Sequence, residues 1–488
     1  MSFSKIFLHL SLLIICSTQC YAQNPVQPDS SILHQTFGNS EFIIVDSIQV
    51  LGNKKTKDYI ILKELMFAEG DTIYRSEFEN IVSVSNINLN NTGLFLTTSI
   101  DFNTSQNSTI VCTVLVTERW YVFPKPFFTL VDRNFNVWWV EEDHALNRTN
   151  YGVDLIWYNF TGNQDKLNMK AAFGYTQRFQ LSYVRPHWNK HSDIGGGLSI
   201  AYANNKEIPY LTKDNKHVFF WDSAYVRERW LAEILLKEKI NYYLDHNVKL
   251  KYHNNVISDS IAILNPNYFS FGNTKQEFLS LSYTLNYSNL DDRSYPLSGK
   301  YYELQAAKIG LGIFDPLTQL YFAAQFNQYL PLTQKLFFQW QIAGQYLIGS
   351  EYPYYNLASL GYCENFVRGY EYYVIDGEQT ALFRSNLKWK LFETQFHAPI
   401  INWEVFENIP MEAYVKVFAD AGFVGDKFYN QDNFLTNRFL YSGGIGLDVT
   451  TYYDWVFRLE ATANALGEIG VFLHAGLDLN TYEDCNLW

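Results

Sequence analysis

The chain has 488 residues, 47% hydrophobic and only 18% charged, with 36 Tyr, 37 Phe and 12 Trp. That apolar content supplies ample core material and excludes disorder, while a formal net charge of −13 excludes the broad basic footprint that phosphate backbones require, so no nucleic acid is expected as a partner. Beyond the N-terminus no stretch approaches the roughly 20 near-continuous apolar residues of a membrane-spanning helix.

At the N-terminus Lys5 precedes the apolar run Ile6 to Ile15, and Cys20-Tyr21-Ala22 then offers small residues where a signal peptidase reads. Residues 1–22 are therefore expected to be an export signal, and residues 23–40, polar and proline-containing, a linker. Ile15 before Cys16 is bulky where a lipoprotein signal wants a small residue, so acylation there is not expected. Cleavage leaves Cys112, Cys363 and Cys485, too few for a disulfide framework, although an oxidising compartment would allow Cys363 and Cys485 to pair. No Cys/His spacing resembles a metal site.

Residues 41–121 read as a small α+β module in the order β-α-α-β-β. Phe42 to Val50 is β-branched and apolar, and Gly52-Asn53 marks a turn. Thr56 is expected to cap a helix through Phe67, with Asp58 favoured in its first turn. A second helix is expected over Tyr74 to Ile87, stopped by Gly93, followed by strands over Phe95 to Phe102 and Thr109 to Val116.

From residue 122 to 488 the texture is different: segments of about ten alternating residues recur between Asn, Asp, Gly and Pro clusters. In Phe383 to Leu391 one face holds Phe383, Leu387, Trp389 and Leu391, and the other Arg384, Asn386, Lys388 and Lys390. Trp455 to Ala463 sets Trp455, Phe457 and Leu459 against Arg458, Glu460 and Thr462, and Leu336 to Tyr346 repeats the pattern. A soluble sandwich also alternates, but one this long would split into domains, and the Tyr and Trp content suits the aromatic girdles of a bilayer. At about 23 residues per strand with its turn, the region holds on the order of sixteen strands of a transmembrane antiparallel β-barrel. Val226 to Lys239 fits an amphipathic helix or a charged strand equally well.

Three motifs then stand in order. Asp292-Arg293 with Pro296 and Gly299 lies in LDDRSYPLSGKYYELQ; Phe366-Val367-Arg368-Gly369-Tyr370 follows; Phe418-Ala419-Asp420-Ala421-Gly422 comes last. Together with FIIVDSIQVLGNKKTKDYIILKEL, Gly70-Asp71 and TIVCTVLVTERW upstream, they make the mature chain resemble the Omp85 superfamily. The first part is similar to a single POTRA domain and the second to the bacterial surface antigen barrel. The resemblance implies an outer-membrane barrel of a Gram-negative bacterium with its N-terminal module in the periplasm. It implies contact with outer-membrane lipid, unfolded or nascent outer-membrane or secreted polypeptides as clients, and periplasmic or lipoprotein partners at the POTRA-like module. It also implies that Val367-Arg368-Gly369-Tyr370 sits on a loop folded back to the Phe418–Gly422 strand.

The residues themselves allow that latch. Alternation puts Lys416, Phe418 and Asp420 on one face and Val415, Val417 and Ala419 on the other, and an arginine followed by glycine can present its planar fork to a carboxylate. The closing seam is expected between a first strand within Phe123 to Val140, where Pro124 and Pro126 cannot donate ladder bonds, and a last strand near Ile469 to Leu479, thinned by Gly470 and Gly476. The prolines also suit a linker that ends before the strand begins.

No G-x-S-x-G, P-loop or H-E-x-x-H occurs, so neither enzymatic activity nor a cofactor is expected, and a lone His474 reads as polar lining. The expected function is outer-membrane protein assembly or translocation through lateral seam opening and strand templating. The rivals are a passive or gated channel and an exporter of one secreted polypeptide.

Overall fold

The computed structural model describes residues 40–104, 109–130, 138, 143–189, 192–314, 317–362, 365–397, 408–451 and 455–475. The expected signal, Cys363, Cys485 and Gly476 lie outside these residues. The chain falls into two compact units, one comprising the chain to Gly52 with Leu65–Asn86 and Thr98–Val116, the other Asn53–Glu64, Ile87–Thr97 and everything from Thr117.

The N-terminal elements are β1 (Phe42–Leu51), α1 (Asp58–Leu62), β2 (Thr72–Tyr74), α2 (Phe78–Asn91), β3 (Phe95–Thr104) and β4 (Thr109–Glu118). Their sheet has the order β2-β1-β4-β3, with β1 parallel to β4 and antiparallel to β2. Alternation in β1 buries Ile43 and Val45 and exposes Phe42 and Ile44. Rings of Phe67 and Phe78 pack on Phe102 at 5.9 and 4.9 Å. Cys112 is fully buried in β4, and burial, with Asp101 adding to it, pushes its thiol up to about 12, which keeps it protonated and unreactive.

Three local expectations need correction. The three-residue β2 precedes the second helix, which starts at Phe78 rather than Tyr74. The first helix stops at Leu62 instead of Phe67. Its N-cap is Lys57, with no side-chain capping bond, because the Thr56 hydroxyl is 3.0 Å from the Tyr121 hydroxyl and accepts from Asn159 Nδ2 at 2.8 Å.

The long region opens with β5 (Val122–Leu130), β6 (Thr149–Tyr158), β7 (Lys166–Gly174), β8 (Thr176–Arg185) and β9 (Ile194–Asn205). A separate hairpin, β10 (Glu207–Lys213) and β11 (Lys216–Trp221), leads to β12 (Arg227–Lys239) and β13 (Leu244–Ile257). Helix α3 (Asp259–Leu264) comes before β14 (Lys275–Ser288), β15 (Gly299–Phe314), β16 (Gln319–Pro331) and β17 (Leu336–Gly349). The short β18 (Ala358–Leu360) and β19 (Ile375–Asp376) lie in the next loop. The chain then continues through β20 (Gln379–His397), β21 (Asn408–Gly425), β22 (Phe439–Thr451), β23 (Trp455–Asn464) and β24 (Ile469–Ala475).

Sixteen of these form one antiparallel sheet that runs from β24 at one end to β5 at the other, every neighbouring pair antiparallel. The sidedness of this sheet decides between sandwich and barrel. Trp230, Ile234, Leu281, Phe322, Ile445 and Leu473 are exposed, whereas Glu303, Lys388, Lys416, Asp448 and Glu460 are buried. A soluble fold has the opposite distribution, and a barrel in lipid requires this one because its outer face meets hydrocarbon and its lumen is polar. The ambiguous segment Val226 to Lys239 forms a strand from Arg227 onward, β12, with Trp230, Ile234 and Leu236 outward and Arg229 and Leu231 buried.

At the barrel end reached by β17, the β10–β11 hairpin, α3 and the loops 350–378 and 426–438 interlock. Asn215, fully buried between β10 and β11, donates through Nδ2 to the Val374 carbonyl at 3.2 Å, and its Oδ1 accepts from Leu435 N at 2.9 Å. Asn433 Oδ1 accepts from Asn215 N at 2.9 Å, and the Thr212 and Tyr354 hydroxyls meet at 2.9 Å.

Candidate functional site: a loop latched inside the barrel

The loop after β17 turns back into the lumen, and Arg368 lies at its tip. Its Nε donates to Asp420 Oδ2 at 2.7 Å and its Nη2 to Asp420 Oδ1 at 2.6 Å, a two-bond fork. Nη1 donates to Asn386 Oδ1 at 2.7 Å and to Glu460 Oε1 at 3.1 Å. The guanidinium also lies 3.8 Å from the centre of the Phe418 ring. Arg368, Asp420 and Glu460 are 6, 3 and 3% exposed, so water screens these charges little.

Glycines make the landing place. Gly369 has φ of +89°, a left-handed conformation that turns the chain just after the arginine. A Cβ on Gly422 would stand 2.5 Å from Val367 Cγ2, so the strand glycine vacates the space that Val367 fills. Val367 and Tyr370 then join a buried cluster with Leu360, Leu382, Val424 and Leu440. Strand β23 completes the cradle: Asn464 Nδ2 donates to the Gly369 carbonyl at 2.7 Å, and Tyr370 Oη accepts from Ala465 N at 3.3 Å.

The turn bearing Asp292, Arg293, Pro296 and Gly299 joins β14 to β15 at the opposite end. Asp292 Oδ1 accepts from the backbone N–H of Ser294 at 2.7 Å and of Tyr295 at 2.9 Å. Asp291, not singled out from sequence, accepts through Oδ1 from Asp292, Leu297 and Ser298 and so carries more of the turn. Gly299 has φ of +109°. Pro296 is buried, whereas Arg293 is exposed and is not brought to the latch.

Strand order, the inward loop and the inside-out surface are joined here by the comparisons with known proteins. The Omp85 superfamily domain model matches residues 159–451, and the POTRA model, surface antigen variable number repeat, matches residues 43–119. The chain belongs to the Omp85 superfamily. CdiB from Escherichia coli has a similar fold at 12% identity, covering 89% of this chain and 76% of that one with a TM-score of 0.54. BamA from Haemophilus ducreyi lacking POTRA domains 1–3 aligns at 18% identity over 89% of this chain and 84% of that one, with a TM-score of 0.49. Among curated proteins none matches the chain. As an Omp85 barrel it is an outer-membrane protein with one POTRA domain.

Sequence reasoning paired Arg368 with Asp420 and left out the other groups that hold this Omp85 loop. Glu460 and Asn386 were legible as wet-face residues of their strands, but alternation does not say which lumen side chains meet. The expected seam strands are β5 and β24, and they are the two ends of the sheet. Pro124 and Pro126 lie within β5, opposite Leu155 and Val153 of β6, rather than in a preceding linker, and Gly470 lies in β24 opposite Thr462. His474 faces the loop, its ring stacked on Phe366 at 5.4 Å and its Nε2 3.6 Å from Glu460 Oε2. Tyr372 packs on Phe472 at 5.7 Å, so the loop also touches the last strand.

A double-mutant cycle checks the Val367–Gly422 fit. Gly422→Ala alone is expected to loosen the loop, and Val367→Ala with Gly422→Ala to recover part of the loss, with a coupling of about 0.5–3 kcal/mol. Strict additivity in equilibrium unfolding would remove the steric account.

Proposed function

We propose that this Omp85 protein transfers unfolded polypeptides into or across the outer membrane by parting β5 from β24 and templating a client strand on the freed edge, without catalytic chemistry or a cofactor. The observation that carries the reading is the seam. The sheet order ends on β24, which carries Gly470, and on β5, which carries Pro124 and Pro126 within its ladder to β6. Prolines that cannot donate ladder bonds and a glycine that adds no cross-strand side chain make that joint the cheapest place to open, and a freed strand edge is a template for edge addition. The latched loop touches β24 through Tyr372 and Phe366, which ties its position to the seam strand. The interlocked segments over one barrel end favour lateral transfer over passive solute flow. The POTRA sheet, placed in the periplasm, offers a second edge in the ten-residue β3.

The test is a disulfide between engineered cysteines on β5 and β24, in proteoliposomes given a urea-denatured small outer-membrane barrel. Locking the seam is expected to abolish acceleration of client folding, and reduction to restore it. Unchanged acceleration with the seam locked refutes lateral opening.

A further inference from the structure

We propose that Tyr295, Asp448 and Lys416 form a buried relay that couples the β14–β15 turn at one end of the barrel to the Arg368 latch entering from the other. The two ends are opposite because β15, β16 and β17, three successive passes, separate the turn from the loop. Yet both reach the same strand. The inward residues of β21 in succession are Asp420, Phe418, Lys416 and Tyr414, spanning about 20 Å at 3.3 Å per residue. Arg368 occupies the first two. Tyr295 packs on the last, ring centroids 5.0 Å apart.

Between them the charges are shared rather than paired off. Lys416 Nζ lies 2.8 Å from Glu460 Oε1, the same oxygen that accepts from Arg368. It also lies 2.7 Å from Asp448 Oδ1. The other oxygen of Asp448 accepts the Tyr295 hydroxyl at 2.7 Å. Lys388 Nζ covers the Tyr295 ring at 3.9 Å from its centre. Lys416, Asp448 and Glu460 are all buried, and in such surroundings a change at one charge is felt by the next with little screening.

One glycine makes the crossing possible. Gly446 of β22 stands in register between Lys416 of β21 and Glu460 of β23. A Cβ there would lie 2.7 Å from Lys416 Cε and 3.2 Å from Glu460 Cγ. The relay follows: withdrawal of the turn removes the Tyr295 hydroxyl from Asp448, Asp448 draws Lys416 toward itself, and Glu460 shifts its hold between Lys416 and Arg368. Tyr295, Asp448 and Lys416 are positioning residues in this scheme, since they act on the loop through Glu460.

The test is amide hydrogen exchange on the full-length protein in lipid nanodiscs. Tyr295→Phe keeps the ring on Tyr414 and removes only the hydroxyl. It is expected to raise exchange of the loop amides 366–374 by about fivefold or more, and Asp448→Asn to raise it further. Because coupling is reciprocal, Arg368→Lys must raise exchange in the turn 291–298 by a comparable factor. Loop exchange unchanged in Tyr295→Phe, or a turn indifferent to Arg368→Lys, overturns the relay. Should Asp448→Asn fail to fold, Tyr295→Phe and Arg368→Lys decide the matter. None of these readouts depends on client transfer.

Discussion

Arg368→Ala is expected to yield a barrel that still folds and inserts but whose loop comes free of the lumen. The outer wall does not depend on Arg368, because its sixteen strands are held by their own ladders and by lipid contact. The loop tip does. The substitution deletes the fork to Asp420 and the bond to Glu460, so buried Asp420 loses its cation while Glu460 keeps Lys416. Breaking a buried pair from one side costs about 3–5 kcal/mol, or two to three and a half powers of ten in the ratio of latched to free loop. Protease cleavage within 360–374 should accelerate accordingly, and client transfer should fall. Arg368→Lys should rescue little, since a single ammonium cannot reproduce the fork and the stacking on Phe418. Cleavage at the parental rate in Arg368→Ala would show that the loop is held by the Val367 and Tyr370 packing instead.

The second large effect concerns the outer face. Ile234, half exposed in the middle of β12, points to lipid, and Ile234→Arg is expected to destabilise the barrel by about 2–4 kcal/mol in equilibrium unfolding from lipid vesicles. Glu228→Arg, six residues away on the same face and near the strand end, should cost no more than about 1 kcal/mol, because the penalty falls toward the interface. Equal costs at the two sites would mean that β12 does not span hydrocarbon with Ile234 at its centre.

The same strand shows what sequence carried and what it did not. A spacing of four places two residues on one face of a helix and also of a strand, since four is a multiple of two. The apolar i, i+4 pairs of β12 therefore could not decide. Strands β17, β20 and β23 were legible because a polar and apolar alternation at spacing two, kept over most of their positions, has no helical reading. In the POTRA domain the three-residue β2 is too short to show a period, and it exists only because Phe42 to Ile44 offers it a partner. The failed cap at Thr56 has a similar cause: Tyr121, distant in sequence, claims the hydroxyl. The latch itself was half visible. Motif order brought Arg368 and Asp420 together, but Glu460, Lys416 and Asp448 meet only once register sets them around Gly446, and no local pattern records register between strands.

Gly446 changes how the wall should be regarded mechanically. Strands of a barrel usually trade force with their immediate neighbours, through the ladder. Where β22 carries only a hydrogen, β21 and β23 touch side chain to side chain across it, as though the wall had a window at that height. The inner surface is thus cross-braced over three strands with no shift in their register, and that brace sits one strand away from β24, beside the joint where stiffness matters most.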